Sequence, residues 1–243
     1  MKCGLHVTLR MDHTNMYRRS RSMKRFFFWV LILGLFAPFA RAQSSLQFTI
    51  ARLKYAGGGD WYSNATSLPN LLRELRTRVH METDREESIV EPSDPNLFSF
   101  PLVYMNGHGT VRFSEADVVS LREYVRRGGV LWADDNYGMD ESFRKELLRV
   151  LPDHSLVELS FDHPIYSIYY TFDNGCPKIH EHDGGPARLY GIYLDGRIAV
   201  LYTFNTDIGD GLESEGVHPE DSLEIREQAM RMAINIVLFV LAG

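Results

Sequence analysis

The chain has 243 residues, 44% of them hydrophobic and 24% charged, with 26 Lys/Arg against 32 Asp/Glu and a formal net charge of −6. An acidic chain lacks the basic face that DNA, RNA and anionic membrane surfaces select, which argues against nucleic acid as a partner. Two cysteines, Cys3 and Cys176, are too few for a disulfide framework.

From Met23 the text "MKRFFFWVLILGLFAPFARAQ" has the pattern of a secretory signal peptide. Lys24 and Arg25 form a positive n-region, Phe26 to Phe36 an apolar core, and Ala40-Arg41-Ala42 a small-x-small cleavage site. The apolar run is short of the about 20 residues that span a bilayer, although a retained anchor is the competing reading. Met23 is an alternative start, with residues 1–22 then a misassigned leader. Removing residues 1–42 takes away eight Lys/Arg and one acid, Asp12, leaving 18 cations against 31 acids, or −13. Cys3 goes with that leader and Cys176 stands alone. The expectation is an exported chain, periplasmic or extracellular, with no membrane span after cleavage and one domain over 43–243.

Within that domain, "LQFTIARLKY" (46–55) alternates strand formers and runs into "AGGGDWY". Ser67 is placed to cap a helix with Leu68, Leu71, Leu72, Leu75 and Val79 on one face. "FPLVYMNGHG" (100–109) is a second apolar strand ending in glycine. Ser114-Glu115-Ala116-Asp117 resembles a capping box, followed by Val118, Leu121 and Val125 at helical spacing. Arg126-Arg127-Gly128-Gly129 closes that helix with cations and a glycine stop. Val130 to Ala133 reads as a buried strand. Asp140 is placed to cap a helix with Phe143, Leu147, Leu148 and Leu151 inward and Pro152 ending it. "SLVELSF" (155–161) is a further strand, 165–187 is irregular, and "ARLYGIYLDGRIAVLYTFN" is a hairpin around Asp195-Gly196. Asp221 or Ser222 begins a last amphipathic helix with Met230, Ala233, Val237 and Leu241 along one stripe. Arg231 and Asn235 leave it too short to span a membrane. Helices alternating with apolar strands imply a three-layer α/β domain, with a mainly parallel sheet and an antiparallel hairpin at one edge.

In such a sheet the ligand crevice lies beyond the carboxyl ends of the strands. Every expected carboxyl end releases a polar group: Asp60-Trp61-Tyr62, Asn106-Gly107-His108-Gly109, Asp134-Asp135-Asn136 before Tyr137, Asp162-His163, and Asn205-Thr206-Asp207. The amino ends, at Gln47, Phe100, Val130 and Ser155, show no such bias. His108, Asp134, Asp135 and His163 are therefore the catalytic candidates. Asp60, Trp61, Tyr62, Asn106, Asn136, Tyr137, Asn205 and Asp207 are the binding candidates. Asp and Asn after a strand are also ordinary caps and turn formers, and His163 before Pro164 has the plain alternative of bonding a backbone carbonyl. His108 between two glycines is less ordinary, because a turn does not need an imidazole. Asp134 and Asp135 point to opposite faces in extended backbone, so one serves a ligand while the other serves the fold. His180 and His182 in "HEHDGG" resemble a metal tract but fall short of the four ligands of a structural zinc. Asp207 and Asp210 in "NTDIGDG" hint at a cation loop and miss the usual acid spacing.

The stretches "ARLKYAGGGDWY", "NGHG", "GGVLWADDNYGMDESFRKE", "FDHPIY", "PKIHEHDG" and "NTDIGDG" together resemble the bacterial domain-of-unknown-function family 4159, over essentially all of 46–243. The resemblance implies membership of the class I glutamine amidotransferase-like folds and hence a flavodoxin-like sandwich. It implies no activity. The amidotransferase relatives present a cysteine on a Gly-x-Cys-x-Gly turn after the central strand, where this chain reads Trp132-Ala133-Asp134-Asp135-Asn136-Tyr137-Gly138. With no thiol or hydroxyl at that elbow, glutaminase chemistry through a Cys-His pair is disfavoured. Gly-x-Ser-x-Gly, a phosphate-binding loop and a dinucleotide fingerprint are absent from the sequence as well.

The expectation is a non-catalytic binding or structural module whose crevice takes a small polar ligand or an envelope protein partner. Trp61, Tyr62 and Tyr137 beside polar groups suit carbohydrate-like or peptide ligands. The alternative is a metal- or acid-assisted hydrolase, in which His108, Asp134, Asp135 and His163 hold a divalent metal that generates hydroxide.

Overall fold

The computed structural model describes residues 47–180 and 184–243. The leader, its alternative start at Met23, and Glu181, His182 and Asp183 lie outside the described residues. A seven-stranded, mostly parallel sheet is built from β1 (Ile50–Leu53), β2 (Ser88–Val90), β3 (Leu102–His108), β4 (Val130–Tyr137), β5 (Val157–Glu158), β6 (Arg188–Leu194) and β7 (Arg197–Phe204), in the order β2-β1-β3-β4-β7-β6-β5. Among the described residues five helices accompany it: α1 (Ser67–Arg78), α2 (Glu115–Arg126), α3 (Asp140–Val150), α4 (Ile208–Leu212) and α5 (Leu223–Ala242). Short 3₁₀ turns cover Pro95–Ser99 and Pro164–Tyr166. β1 to β4 and β7 run parallel, whereas β6 is antiparallel to both β7 and β5.

The central strands are apolar on both faces because both are covered. One buried cluster joins Ile50, Leu102, Tyr104, Trp132 and Leu201 to the leucines of α1, to Ile208 and Leu212 of α4, and to Met232, Ala233 and Val237 of α5. The alternate residues Ala51, Val103, Leu131 and Val200 join Val118, Leu121 and Val125 of α2 and Phe143, Leu147 and Val150 of α3. Strand alternation with period two places these clusters on opposite faces. Leu68, Leu71, Leu72 and Leu75 of α1 are wholly buried, each contributing about 1.5–3 kcal/mol by leaving water.

Several boundaries differ from the sequence reading. β4 runs four residues past Ala133, because Asp134 to Asn136 find buried partners and the strand goes on to Tyr137. The edge strand β2 is new: its three residues carry too little periodicity to stand out. The strand expected over 155–161 shrinks to Val157–Glu158 and forms the sheet edge, so the β6–β7 hairpin lies inside it. Ser67 is the first residue of α1 after an N-cap at Thr66, and Asp140 likewise follows the N-cap Met139. Leu148 and Leu241 point outward, at 55% and 41% exposure. The capping box of Ser114 and Asp117 forms, and Ser222 caps α5 by accepting from the Ile225 N–H. Asp195 and Gly196 both take positive φ, 51° and 83°, as the hairpin turn requires.

Candidate functional site

From β1 the chain passes to β2 on one side, then returns past β1 to β3 on the other. The strand order therefore reverses between β1 and β3, which is where open α/β sheets leave a crevice at their carboxyl ends. Asp60 follows β1 at this point, and His108 ends β3. The Asp60 carboxylate accepts from the His108 backbone N–H through Oδ1, and its Oδ2 lies 3.1 Å from His108 Nδ1. The pair is accessible, with side chains 42% and 33% exposed. Gly107 makes the approach feasible: its φ is 140°, and a Cβ there would collide with the Tyr55 hydroxyl. That hydroxyl donates to the Asn106 carbonyl at 3.0 Å.

The register sets Asn106 beside Asp134, Gly107 beside Asp135 and His108 beside Tyr137. The ends of β3 and β4 therefore lie side by side, but their side chains divide the work. Asp134 is fully buried and accepts from the Thr203 hydroxyl, the Tyr104 hydroxyl (3.1 Å), the Gly209 N–H (2.7 Å) and the Ile208 N–H (3.3 Å). Burial pushes its pKa up to about 6 against the pull of those donors. Its carboxylate ties β3, β4 and β7 to the start of α4 and faces no solvent. Asp135 points to the other face, accepting from the Met139 N–H (3.3 Å) and the Tyr202 hydroxyl (3.2 Å), and burial raises it too to about 6. Asn106 accepts from buried Arg52 at 2.7 Å and donates to Ser63 Oγ at 2.8 Å. Arg52 also reaches Glu87, the Ser63 and Asn64 carbonyls and Ser67 Oγ, anchoring the loop that carries Asp60, Trp61 and Tyr62.

Asp207, left-handed at φ 63° and 1% exposed, lies within electrostatic reach of Asp134 and Asp210. Burial, then Asp210 and Asp134, hold its carboxyl well above the usual range. Asn136 donates to Asp210 Oδ1 at 3.3 Å, and His218 Nε2 lies 3.6 Å from the same oxygen. Glu213 accepts from the N–H and hydroxyl of Thr66 at 3.0 and 2.7 Å, placing its charge at the positive end of α1. A recess of about 470 Å³ opens above these groups, lined by Tyr62, His108, His180, Asp210, Glu213 and His218. Tyr62 is 65% exposed and packs edge-on against Trp61, while Tyr137 beside His108 is 53% exposed.

Two candidates do not join this site as expected. His163 accepts from the Ile165 N–H through Nδ1, and its Nε2 lies 2.7 Å from the Tyr193 hydroxyl. Its ring is 5.0 Å from that of Phe239 in the last turn of α5, away from His108. The shortened β5 is the reason, since the chain has already left the sheet before Asp162. Asn205, at φ 54°, donates to the Gly185 carbonyl and accepts from Lys178, which suits a turn residue. The sequence carries no signal that singles out Arg52, Glu213 or His218. Arg52 hides in an alternating strand, and His218 sits in the polar loop "EGVHPED" with no motif around it. Cys176 packs in the core with its thiol pushed up by burial, so it presents no nucleophile. Among the described residues no group of three or more His, Cys, Asp and Glu side chains could hold a metal ion.

The model of one family, the domain of unknown function DUF4159, matches residues 49–241. No curated protein matches the chain.

Proposed function

The chain belongs to the DUF4159 family, and from its site we propose an exported binding module that takes a small polar ligand, or a polar segment of an envelope protein partner, in the recess over β1 and β3. One observation carries the reading. The reversal of strand order coincides with an accessible His108–Asp60 pair beside a recess of about 470 Å³, within the range of small-ligand sites. Asp134 and Asp135 spend their acceptor capacity inside the fold, which supports binding over catalysis. Exposed Tyr62 and Tyr137 offer flat apolar surface next to hydrogen-bonding groups, a combination suited to carbohydrate-like or peptide ligands. Export to the periplasm or beyond rests on Lys24-Arg25, the apolar run Phe26–Phe36 and Ala40-Arg41-Ala42. Among the described residues no helix is long and apolar enough to cross a membrane. Helices against both sheet faces support a flavodoxin-like three-layer sandwich of the glutamine amidotransferase-like kind.

A hydrolase is the second reading, favoured by a single contact. Asp60 beside Nδ1 fixes the tautomer that leaves Nε2 as a base. Thermal shifts of the full chain with sugars, amino acids and short peptides test the first reading. A ligand should raise the melting temperature, and His108→Ala and Tyr62→Ala should each abolish the rise. No shift across these classes overturns it, and turnover of a shifting ligand that is lost in His108→Ala moves the assignment to the hydrolase.

A further inference from the structure

A cavity of about 800 Å³ opens at the amino-terminal ends of the strands, opposite the end that carries the recess. Phe48 leads into β1, Phe100 and Pro101 into β3, and Gly128 and Gly129 into β4, and all of them line it. Its size falls within the range of small-ligand sites. One wall is fixed by Tyr124, whose hydroxyl lies 3.0 Å from the Phe100 carbonyl and 3.2 Å from that of Val130. Gly129 lets that ring lie against the backbone, because a Cβ there would stand 2.2 Å from it. Phe98 and Leu241 also line the cavity, and each stays 41% exposed, apolar surface that the fold leaves in contact with water.

Among the described residues that line this cavity, Arg127 is the only one with a charged side chain. Its guanidinium stands 5.2 Å from the centre of the Phe98 ring and donates to Glu123 through Nε at 2.7 Å. That ion pair is exposed on both sides, at 66% and 47%, which makes Glu123 a weak competitor for the charge. Only Nε is engaged there, so the Nη1 and Nη2 donors remain for a ligand. Arg127 also offsets the negative end of α2, which it caps.

We propose that this cavity binds a free medium-chain carboxylic acid as its anion. The chain lies among Phe48, Phe98, Phe100 and Leu241, and the carboxylate sits on the Nη1 and Nη2 edge of Arg127. A planar carboxylate matches a guanidinium edge with two parallel hydrogen bonds, and one charge on each side balances the pair. An ammonium head would meet the guanidinium as a like charge, and a neutral head would leave that charge uncompensated. The cavity shares no lining residue with the recess and does not depend on the ligand reading above.

Calorimetric titration of the full chain with dodecanoate, dodecanol and dodecyltrimethylammonium, each below its micelle concentration, tests this. Dodecanoate should bind at one equivalent and tighter than the other two. Decanoate should bind about fifteenfold more weakly, since each methylene removed from water is worth about fourfold. Arg127→Gln should weaken dodecanoate at least about tenfold and leave dodecanol unchanged. Phe98→Ala should weaken both by about fivefold. Both side chains are substantially exposed, so neither variant puts folding at risk. Arg188→Gln, the same charge change at a half-exposed side chain on β6, should bind like the parent. No saturable binding of dodecanoate overturns the proposal, and so does dodecyltrimethylammonium binding as tightly as dodecanoate. Binding that survives both Arg127→Gln and Phe98→Ala overturns it too, as attachment elsewhere on the chain. A dimer in sedimentation that dodecanoate leaves intact and Phe98→Ala dissociates would assign the face to a second copy instead.

Discussion

Replacing Asp134 by asparagine keeps the shape of the side chain and removes its charge, which sets two effects against each other. The carboxylate accepts on both oxygens, from the Thr203 hydroxyl and the Ile208 N–H on Oδ1, and from the Tyr104 hydroxyl and the Gly209 N–H on Oδ2. A carboxamide accepts on one side only. With its oxygen kept on Gly209, its NH₂ meets the Thr203 hydroxyl, which can rotate to accept, and the Ile208 N–H, which cannot. One buried N–H is left without an acceptor, at a cost of about 1–3 kcal/mol. In the other direction, burial moves the Asp134 pKa from 3.8 to about 6. At neutral pH the ionised group therefore carries a penalty of about 3 kcal/mol that asparagine lacks. The two offset, so Asp134→Asn should stay within about 2 kcal/mol of the parent at pH 7.

The pH dependence separates the two effects. With its folded pKa raised, Asp134 contributes stability that is present at acid pH and lost as pH rises through about 6. Between pH 7 and pH 5 the parent gains about 1.3 kcal/mol at this group, and the variant gains nothing there. His163, whose pKa burial lowers, works in the opposite sense in both proteins and cancels in the difference. Urea unfolding followed by tryptophan fluorescence provides the assay, since the Trp132 ring packs 4.8 Å from Tyr104 beside the site. The variant should fall behind the parent by about 1.3 kcal/mol more at pH 5 than at pH 7. A gap of the same size at both pH values would refute the assignment of a raised, desolvated carboxyl at residue 134.

Two further substitutions probe the scaffold beneath the recess. Arg52→Met removes a 2%-exposed guanidinium that joins Glu87, Asn106, Ser67 and two carbonyls. It should cost about 3–5 kcal/mol by urea titration, because the buried partners lose their donor. Gly107→Ala forces a side chain into positive φ and against the Tyr55 hydroxyl. A loss of about 1–3 kcal/mol is expected, with the displaced His108 also weakening any ligand-induced thermal shift.

What the chain discloses of itself before folding depends on how local the cause is. The α1 leucines, the capping box at Ser114 and the turn at Asp195-Gly196 are set by contacts within a few residues, and each forms as its spacing implies. β2 and β5 are set by neighbours elsewhere in the chain: Ser88 to Val90 pair with Ala51 to Leu53, and Val157 and Glu158 pair with Gly191 and Tyr190. β2 has too few residues to show a period, and β5 keeps only Val157 and Glu158 of the strand expected over 155–161. His218 is less visible still, since its spatial neighbours Asp210 and His180 lie in other segments of the chain. Asp60 and His108 were legible because glycines mark both loops, and the strand-order reversal then gives the pair its meaning.

The adjacent acids on β4 show why a polar residue near a strand end is ambiguous evidence for a site. Asp134 and Asp135 lie inside the strand, in register with Asn106 and Gly107, and not beyond it. At such a position a carboxylate is desolvated whether or not a ligand exists, so the fold must supply donors for it to persist. Here the donors come from the backbone N–H groups at the start of α4 and from hydroxyls on both flanking strands. They hold the last crossing of the chain onto the sheet. Asp60 and Tyr62 lie beyond the end of β1 and His108 is the last residue of β3, and these side chains stay partly open to water. A carboxylate with all its acceptors filled from within is thus foundation, whereas the Asp60–His108 pair next to it is left partly open to water.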